Sequence, residues 1–130
     1  MDTIKSITII LFLLLGTVGC NKKVNNNEIS IIGKWKLVKV TYPFTAQSYD
    51  YSQCNIIYEF DTNDILTVSG VNCINTIYRG HEIGEHFYSV NDDNKLTINY
   101  LTSSYTISSE RLEISNAPLD GEVYNLNKIK

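Results

Sequence analysis

The chain has two histidines, and both fall in one short stretch, His81-Glu82-Ile83-Gly84-Glu85-His86. Imidazoles beside carboxylates are the raw material of a zinc site, so spacing decides whether one forms. H-E-x-x-H holds its histidines four apart on one helical face; here they stand five apart with Gly84 between them. Zinc also needs three or four ligands with supporting contacts, so this stretch reads as a solvated connection between strands. No metal is expected. Asp61-Thr62-Asn63-Asp64 and Asn91-Asp92-Asp93-Asn94 are rich enough in oxygen ligands to raise calcium. Neither has the Gly at position 6 and the Glu at position 12 of an EF-hand. They read as turns, in which Asn and Asp satisfy local backbone groups. Serine and threonine are abundant, but neither histidine stands in a nucleophile–base pattern. No Gly-rich phosphate loop occurs, so neither an enzyme nor a cofactor is expected.

Cysteine is the other reactive side chain, at positions 20, 54 and 73. Cys54 and Cys73 form a pair in a chain expected to be exported, an oxidising setting that permits a disulfide. They flank a strand–turn–strand pattern. If Asn63-Asp64 made a two-residue turn, the two cysteines would face each other. The apolar pattern prefers Phe60 opposite Leu66, which offsets them by one residue. A bulge at Ser69-Gly70 would absorb that offset, because Gly permits the backbone angles. A bridge is expected here, adding roughly 3 kcal/mol in the chain-entropy account. Two buried free thiols are the alternative.

Among the elements, Ile32-Gly33-Lys34-Trp35-Lys36-Leu37-Val38-Lys39-Val40-Thr41-Tyr42 organises the rest. Trp35 and Leu37 point one way and Lys34 and Lys36 the other, the period of a half-buried strand. The single tryptophan is the natural plug of a small core. Pro43 to Ser52 is irregular, with three aromatics, and reads as a loop or lid over an open barrel end. Asn55–Phe60 and Ile65–Val68 make one hairpin. A weaker strand is expected over Ile74–Arg79. Phe87–Val90 and Lys95–Tyr100 make a second hairpin, with Leu96, Ile98 and Tyr100 on one face; whether Phe87 or Tyr88 faces inward is open. Tyr105–Ile107, Arg111–Ile114 and Val123–Leu126 continue the pattern. Nine tyrosines and many Ile, Val and Thr residues suit pleated surfaces. The expected fold is all-β: an antiparallel up-and-down meander closing into a barrel of about eight strands.

One hundred and thirty residues make one domain, and a net charge of −3 implies no nucleic-acid partner. Before that domain stand Lys5 and the apolar run Ile7–Leu15, about half the length of a membrane-spanning helix. Gly16-Thr17-Val18-Gly19-Cys20 follows, and it resembles a bacterial lipobox, with Thr17 where Leu is usual. The resemblance implies cleavage before Cys20 and lipidation of Cys20, whose acyl chains anchor a protein stably. The expected division is therefore a signal peptide over 1–19, lipidated Cys20 and an Asn-rich linker over 20–30, and a domain over 31–130. Lys22 and Lys23 follow the cysteine with no acidic sorting residue, so the default place is the outer membrane, facing the periplasm.

Gly33-Lys34-Trp35 is a G-x-W at the start of the first strand. With Tyr58-Glu59-Phe60 before an Asp/Asn turn, Lys95-Leu96-Thr97-Ile98, Leu112-Glu113-Ile114 and Tyr124-Asn125-Leu126-Asn127-Lys128, it resembles the small lipocalin-like lipoproteins of Gram-negative bacteria. The resemblance spans most of residues 31–130 and implies an eight-stranded barrel that binds a small apolar ligand without catalysis. Trp35, Leu37, Phe44, Tyr58, Phe60, Tyr88, Tyr100 and Tyr124 are the candidate ligand-binding residues. An eight-stranded barrel is just wide enough to hold one small ligand or to be filled by its own side chains. The two readings are thus a lipid-anchored carrier, which is preferred, and a filled barrel that docks on an envelope protein partner.

Overall fold

Eight strands of this protein wrap into one closed antiparallel barrel, with a ninth laid along the first. The computed structural model describes residues 29–70, 73, 77–116 and 121–130; the expected signal peptide, Cys20 and most of the linker lie outside them. The strands are β1 (Gly33–Tyr42), β2 (Gln47–Asp50), β3 (Ile57–Phe60), β4 (Ile65–Ser69), β5 (Gly84–Asn91), β6 (Lys95–Ile98), β7 (Leu101–Ile107), β8 (Arg111–Ser115) and β9 (Val123–Lys128). From β3 onward each pairs with the next, and β1 pairs with β9 to close the ring. The opposite edge of β1 is shared end to end. Its first half, Gly33–Lys36, pairs with β3, and its second half, Lys39–Tyr42, pairs with β2.

The alternation expected along β1 slips once. Its register against β9 shifts between Leu37 and Lys39, so Val38 and Lys39 both avoid the core while Leu37 and Val40 are both buried. One extra residue resets the inward phase, as a bulge does. Both expected hairpins form, and their turns share one device. Asp61 Oδ1 accepts hydrogen bonds from the amides of Asn63 (2.8 Å) and Ile65 (2.9 Å), and Asn91 Oδ1 accepts from Asp93 and Lys95 (both 3.1 Å). Each turn then closes through a left-handed residue, Asp64 (φ 61°) or Asn94 (φ 55°), a conformation that Asp and Asn tolerate.

The strands' inward faces form one continuous core, in which Trp35, Leu37, Val40, Tyr58, Leu66, Leu96 and Ile114 are fully buried. Trp35 Nε1 donates to the Ile31 carbonyl (2.7 Å), so the indole's polar edge costs nothing on burial. The Lys128 ammonium sits 4.2 Å from the Trp35 ring centroid and donates to the Ile32 carbonyl (3.0 Å). A Cβ on Gly33 would stand 2.8 Å from that nitrogen. The glycine of the G-x-W therefore makes room for a cation over the tryptophan.

Several expectations change. Pro43 to Asp50 is no open loop. Residues 43–46 make a tight turn, with the Ala46 amide donating to the Pro43 carbonyl (3.4 Å), and the chain returns as β2. Residues 77–79 are not strand, and residues 74–76 of that expected strand lie outside the described residues. Gly84 and His86 belong to β5, so the histidine stretch is half strand. Tyr88 faces inward and Phe87 outward, at 5% and 74% exposure.

Candidate functional site

Six of the eight candidate ligand-binding residues converge inside the barrel. Trp35, Leu37, Tyr58, Phe60, Tyr88 and Tyr124 are each 5% exposed or less and belong to one packed cluster. Phe60 and Tyr88 meet edge to face with centroids 5.0 Å apart, and the Tyr88 hydroxyl donates to the Asp61 carbonyl (2.5 Å). The other two stand elsewhere. Phe44 is at the tip of the β1–β2 turn, 80% exposed, because the chain doubles back there instead of folding over the barrel. Tyr100 is fully exposed, because Ile98 pairs directly with Leu101 and leaves Asn99-Tyr100 as the two-residue turn between β6 and β7. Asn99 supplies the left-handed angle of that turn, φ 53°.

The barrel has two unlike poles. Chain direction places the start of β1, the Asp61–Asp64 turn and the Asp92–Asn94 turn at one pole. At the far pole β1, β4, β6 and β8 end and β3, β5, β7 and β9 begin. There the chain builds a polar cluster that the sequence reading missed. Tyr78 and His81, from the connection before β5, meet Tyr58 of β3 and Tyr124 of β9. His81 lies 5.7 Å from Tyr58 and 4.9 Å from Tyr124 between ring centroids.

The hydrogen bonds of this cluster close on themselves. The Tyr78 hydroxyl donates to the His81 carbonyl (2.5 Å), so it accepts at the Tyr58 hydroxyl (3.1 Å), whose proton points to it. The Tyr58 oxygen accepts from the His81 amide (3.2 Å) and is 3.2 Å from His81 Nδ1. With the Tyr58 proton spent on Tyr78, Nδ1–H is the donor in that contact. Every proton in the ring is used once, which assigns the Nδ1–H tautomer from the network.

Electrostatics follow from the burial. Desolvation, with the nearby His86 adding to it against Glu122, lowers the His81 pKa to about 4, so the ring is neutral near pH 7. Burial pushes the Tyr78 phenol up to about 12. It also raises Tyr124, helped by Glu122, and raises Tyr58 well above the usual value. All three stay protonated near pH 7, and Tyr58 and Tyr78 serve as donors. His86 is engaged as well: Nε2 donates to the Glu82 carbonyl (2.7 Å) and Nδ1 accepts from Asn99 Nδ2 (3.0 Å). Among the described residues no group of three or more His, Cys, Asp or Glu side chains is placed to share a metal.

A second group holds the connection from the side. Tyr51, fully buried, donates from its hydroxyl to the Ile77 carbonyl (2.8 Å) and accepts from the Arg79 amide (2.9 Å). Cys54 and Cys73 are bonded, with Cα atoms 5.1 Å apart. Phe60 pairs with Leu66, as expected, and the pairing ends at Ile57 opposite Ser69. Gly70 follows at φ +131°, its Cα so close to the Asn55 carbonyl that a Cβ would stand 2.2 Å from that oxygen.

The surface grooves lie away from the candidate residues' interior. One of about 520 Å³ runs on the outer wall past Lys39, Thr106, Arg111 and Asn125. Another, of about 630 Å³, sits at the N-terminal pole between Ile31, Asn91, Tyr105 and the edge of Tyr88. Neither is lined by Trp35, Leu37, Tyr58, Phe60 or Tyr124. In the sequence, His81 reads as part of a solvated connection and Tyr51 as part of a loop, and nothing marks Tyr78; their grouping depends on strand order.

No family model, curated protein or solved structure matches the chain.

Proposed function

We propose that the protein is a lipid-anchored, non-catalytic envelope protein whose barrel is filled by its own side chains and serves as a scaffold for docking on another envelope protein. The observation that carries this reading is the packing of Trp35, Leu37, Tyr58, Phe60, Tyr88 and Tyr124 into one buried cluster. Residues that would line a calyx already touch one another, so a ligand would have to displace side chains from native packing density. The anchor rests on the Gly19-Cys20 lipobox. Outer membrane, periplasmic face, remains the proposed place.

A second reading, carriage of a small apolar ligand, draws on one specific feature. The far pole is covered by residues 77–81 through side-chain hydroxyls, so space can open there without breaking a strand ladder. Native mass spectrometry of the mature chain purified from its own envelope separates the two. The expected spectrum is the bare lipoprotein mass, with no uptake of added palmitate or 1-aminoanthracene. A stoichiometric adduct that is lost on denaturation would overturn the scaffold reading in favour of the carrier.

A further inference from the structure

The geometry points to the β8–β9–β1 wall, and the rim where it meets the N-terminal pole, as a surface that lies against anionic lipid headgroups. This goes beyond the scaffold reading and rests neither on it nor on the acyl anchor. Strand register sets out the wall's chemistry. Asn127 of β9 pairs with Lys36 of β1 on one side and Arg111 of β8 on the other. Two residues back, Asn125 pairs in the same way with Lys39 and Glu113. Leu37, Leu112 and Leu126, the row between, are buried, so alternation turns Lys36, Arg111 and Asn127 outward. Neighbouring strands lie about 4.8 Å apart. An ammonium and a guanidinium therefore flank one carboxamide, close enough for their long side chains to share a phosphate group.

The charge on this wall is unspent. Lys34 pairs with Glu59 (3.4 Å), whereas Lys36, Lys39 and Arg111 form no ion pair among the described residues. Shallow grooves of about 520 and 420 Å³ flank Arg111 and Asn127, which line both. On the wall as a whole, Lys36, Lys39, Arg111 and Lys128 outnumber Glu110 and Glu113. The chain's net charge is −3, so this excess is local. Its counterweight, Asp61, Asp64, Asp92 and Asp93, sits in the β3–β4 and β5–β6 turns across the ring. A barrel polarised in this way meets a negative surface with β8, β9 and β1 foremost.

The rim favours a bilayer over an acidic protein as that surface. Ile29, Ile32 and Ile129 are exposed there, and hydrogen bonds hold two of them beside the cations. The Ile129 amide donates to the Lys34 carbonyl (2.9 Å), and the Ile32 carbonyl accepts from the Lys128 ammonium (3.0 Å). Aliphatic side chains bordered by lysine and arginine are the composition of interfacial segments. The aliphatic groups enter the boundary between headgroups and acyl chains, and the cations sit on phosphates. Cations spread over three strands also suit a flat array of phosphates. Salt screens such a contact, so at physiological ionic strength it orients an anchored barrel and does not hold a free one.

The test uses the mature chain, residues 20–130, carrying Cys20→Ser so that no acyl chain contributes, sedimented with vesicles at low salt. Binding to vesicles that are roughly one-third phosphatidylglycerol should be at least about ten-fold tighter than to pure phosphatidylcholine, and high salt should release it. Arg111→Glu should weaken the binding at least about ten-fold, and Lys36→Glu, on the neighbouring strand, is a second probe of the same row. Lys95→Glu makes the same change in net charge on β6, across the ring, and should weaken it less than about two-fold. Ile129→Ser should weaken it about three-fold with the salt dependence kept. Circular dichroism checks that each variant keeps the native barrel. Equal binding to both vesicles, equal losses from Arg111→Glu and Lys95→Glu, or no loss from Ile129→Ser would each overturn the proposal. The last result would leave a charged face suited to an acidic protein.

Discussion

His81 is where a single side chain couples most to its surroundings. Its pKa falls on folding, from the ordinary 6.5 to about 4. Between those values the unfolded chain binds the extra proton and the folded chain does not, so stability rises with pH in that window. The contribution is fully present above pH 6.5 and is lost as pH falls through about 4. A shift of this size corresponds to at most roughly 3 kcal/mol. Urea midpoints measured from pH 7 to 4 should therefore fall more steeply for the native chain than for His81→Gln. Equal slopes would mean the ring is not held neutral by burial. Trp35 makes the complementary case, in which volume and not charge dominates. Trp35→Ala removes a fully buried ring and leaves Lys128 without its π face, and the expected loss is about 3–5 kcal/mol by denaturant titration. Trp35 could be read from the sequence because one large ring in an alternating strand has few other places to go. His81 could not. Its neighbours Tyr58 and Tyr124 come from β3 and β9, strands far apart in the chain.

At the level of elements, alternation revealed the strands but not where they stop. Leu96, Ile98 and Tyr100 form an unbroken period of two, yet the third of them is in the turn. Nothing in the side-chain pattern marks that change; Asn99, which tolerates a left-handed angle, is the local cue. The β3–β4 hairpin was more legible, because Phe60 opposite Leu66 satisfies both the apolar faces and the Asp61 turn. Its far end gives a paired prediction. Gly70 and Gly84 both have strongly positive φ, 131° and 135°, but a Cβ at Gly70 meets the Asn55 carbonyl while one at Gly84 meets nothing within 4 Å. Gly84→Ala should cost about 1–2 kcal/mol, backbone strain alone. Gly70→Ala should cost more than that, seen as a distinctly larger drop in melting temperature. Equal drops would show that the strand end shifts freely away from Asn55.

For the whole molecule, the closed antiparallel ring follows from eight short segments of the right period and from the gain of closing their two free edges on each other. How β1 divides one edge between β2 and β3 was not legible, because it depends on a turn at residues 43–46 that carries only a weak signal. The proposed anchor is tested at this scale. Cys20→Ser should move the protein from the membrane pellet to the soluble fraction while its circular dichroism remains that of a β-barrel. Continued pelleting would show that something other than the acyl chains holds it.

The pairing of β1 with β9 carries a consequence in time. The strand that bears Trp35 gains its second neighbour only from Val123–Lys128, at the very end of the chain. No nascent fragment emerging from a ribosome can complete this ring before β9 has been made. Pairings so distant in sequence make such folds form over milliseconds to seconds, so the barrel closes late, after its last strand is in hand.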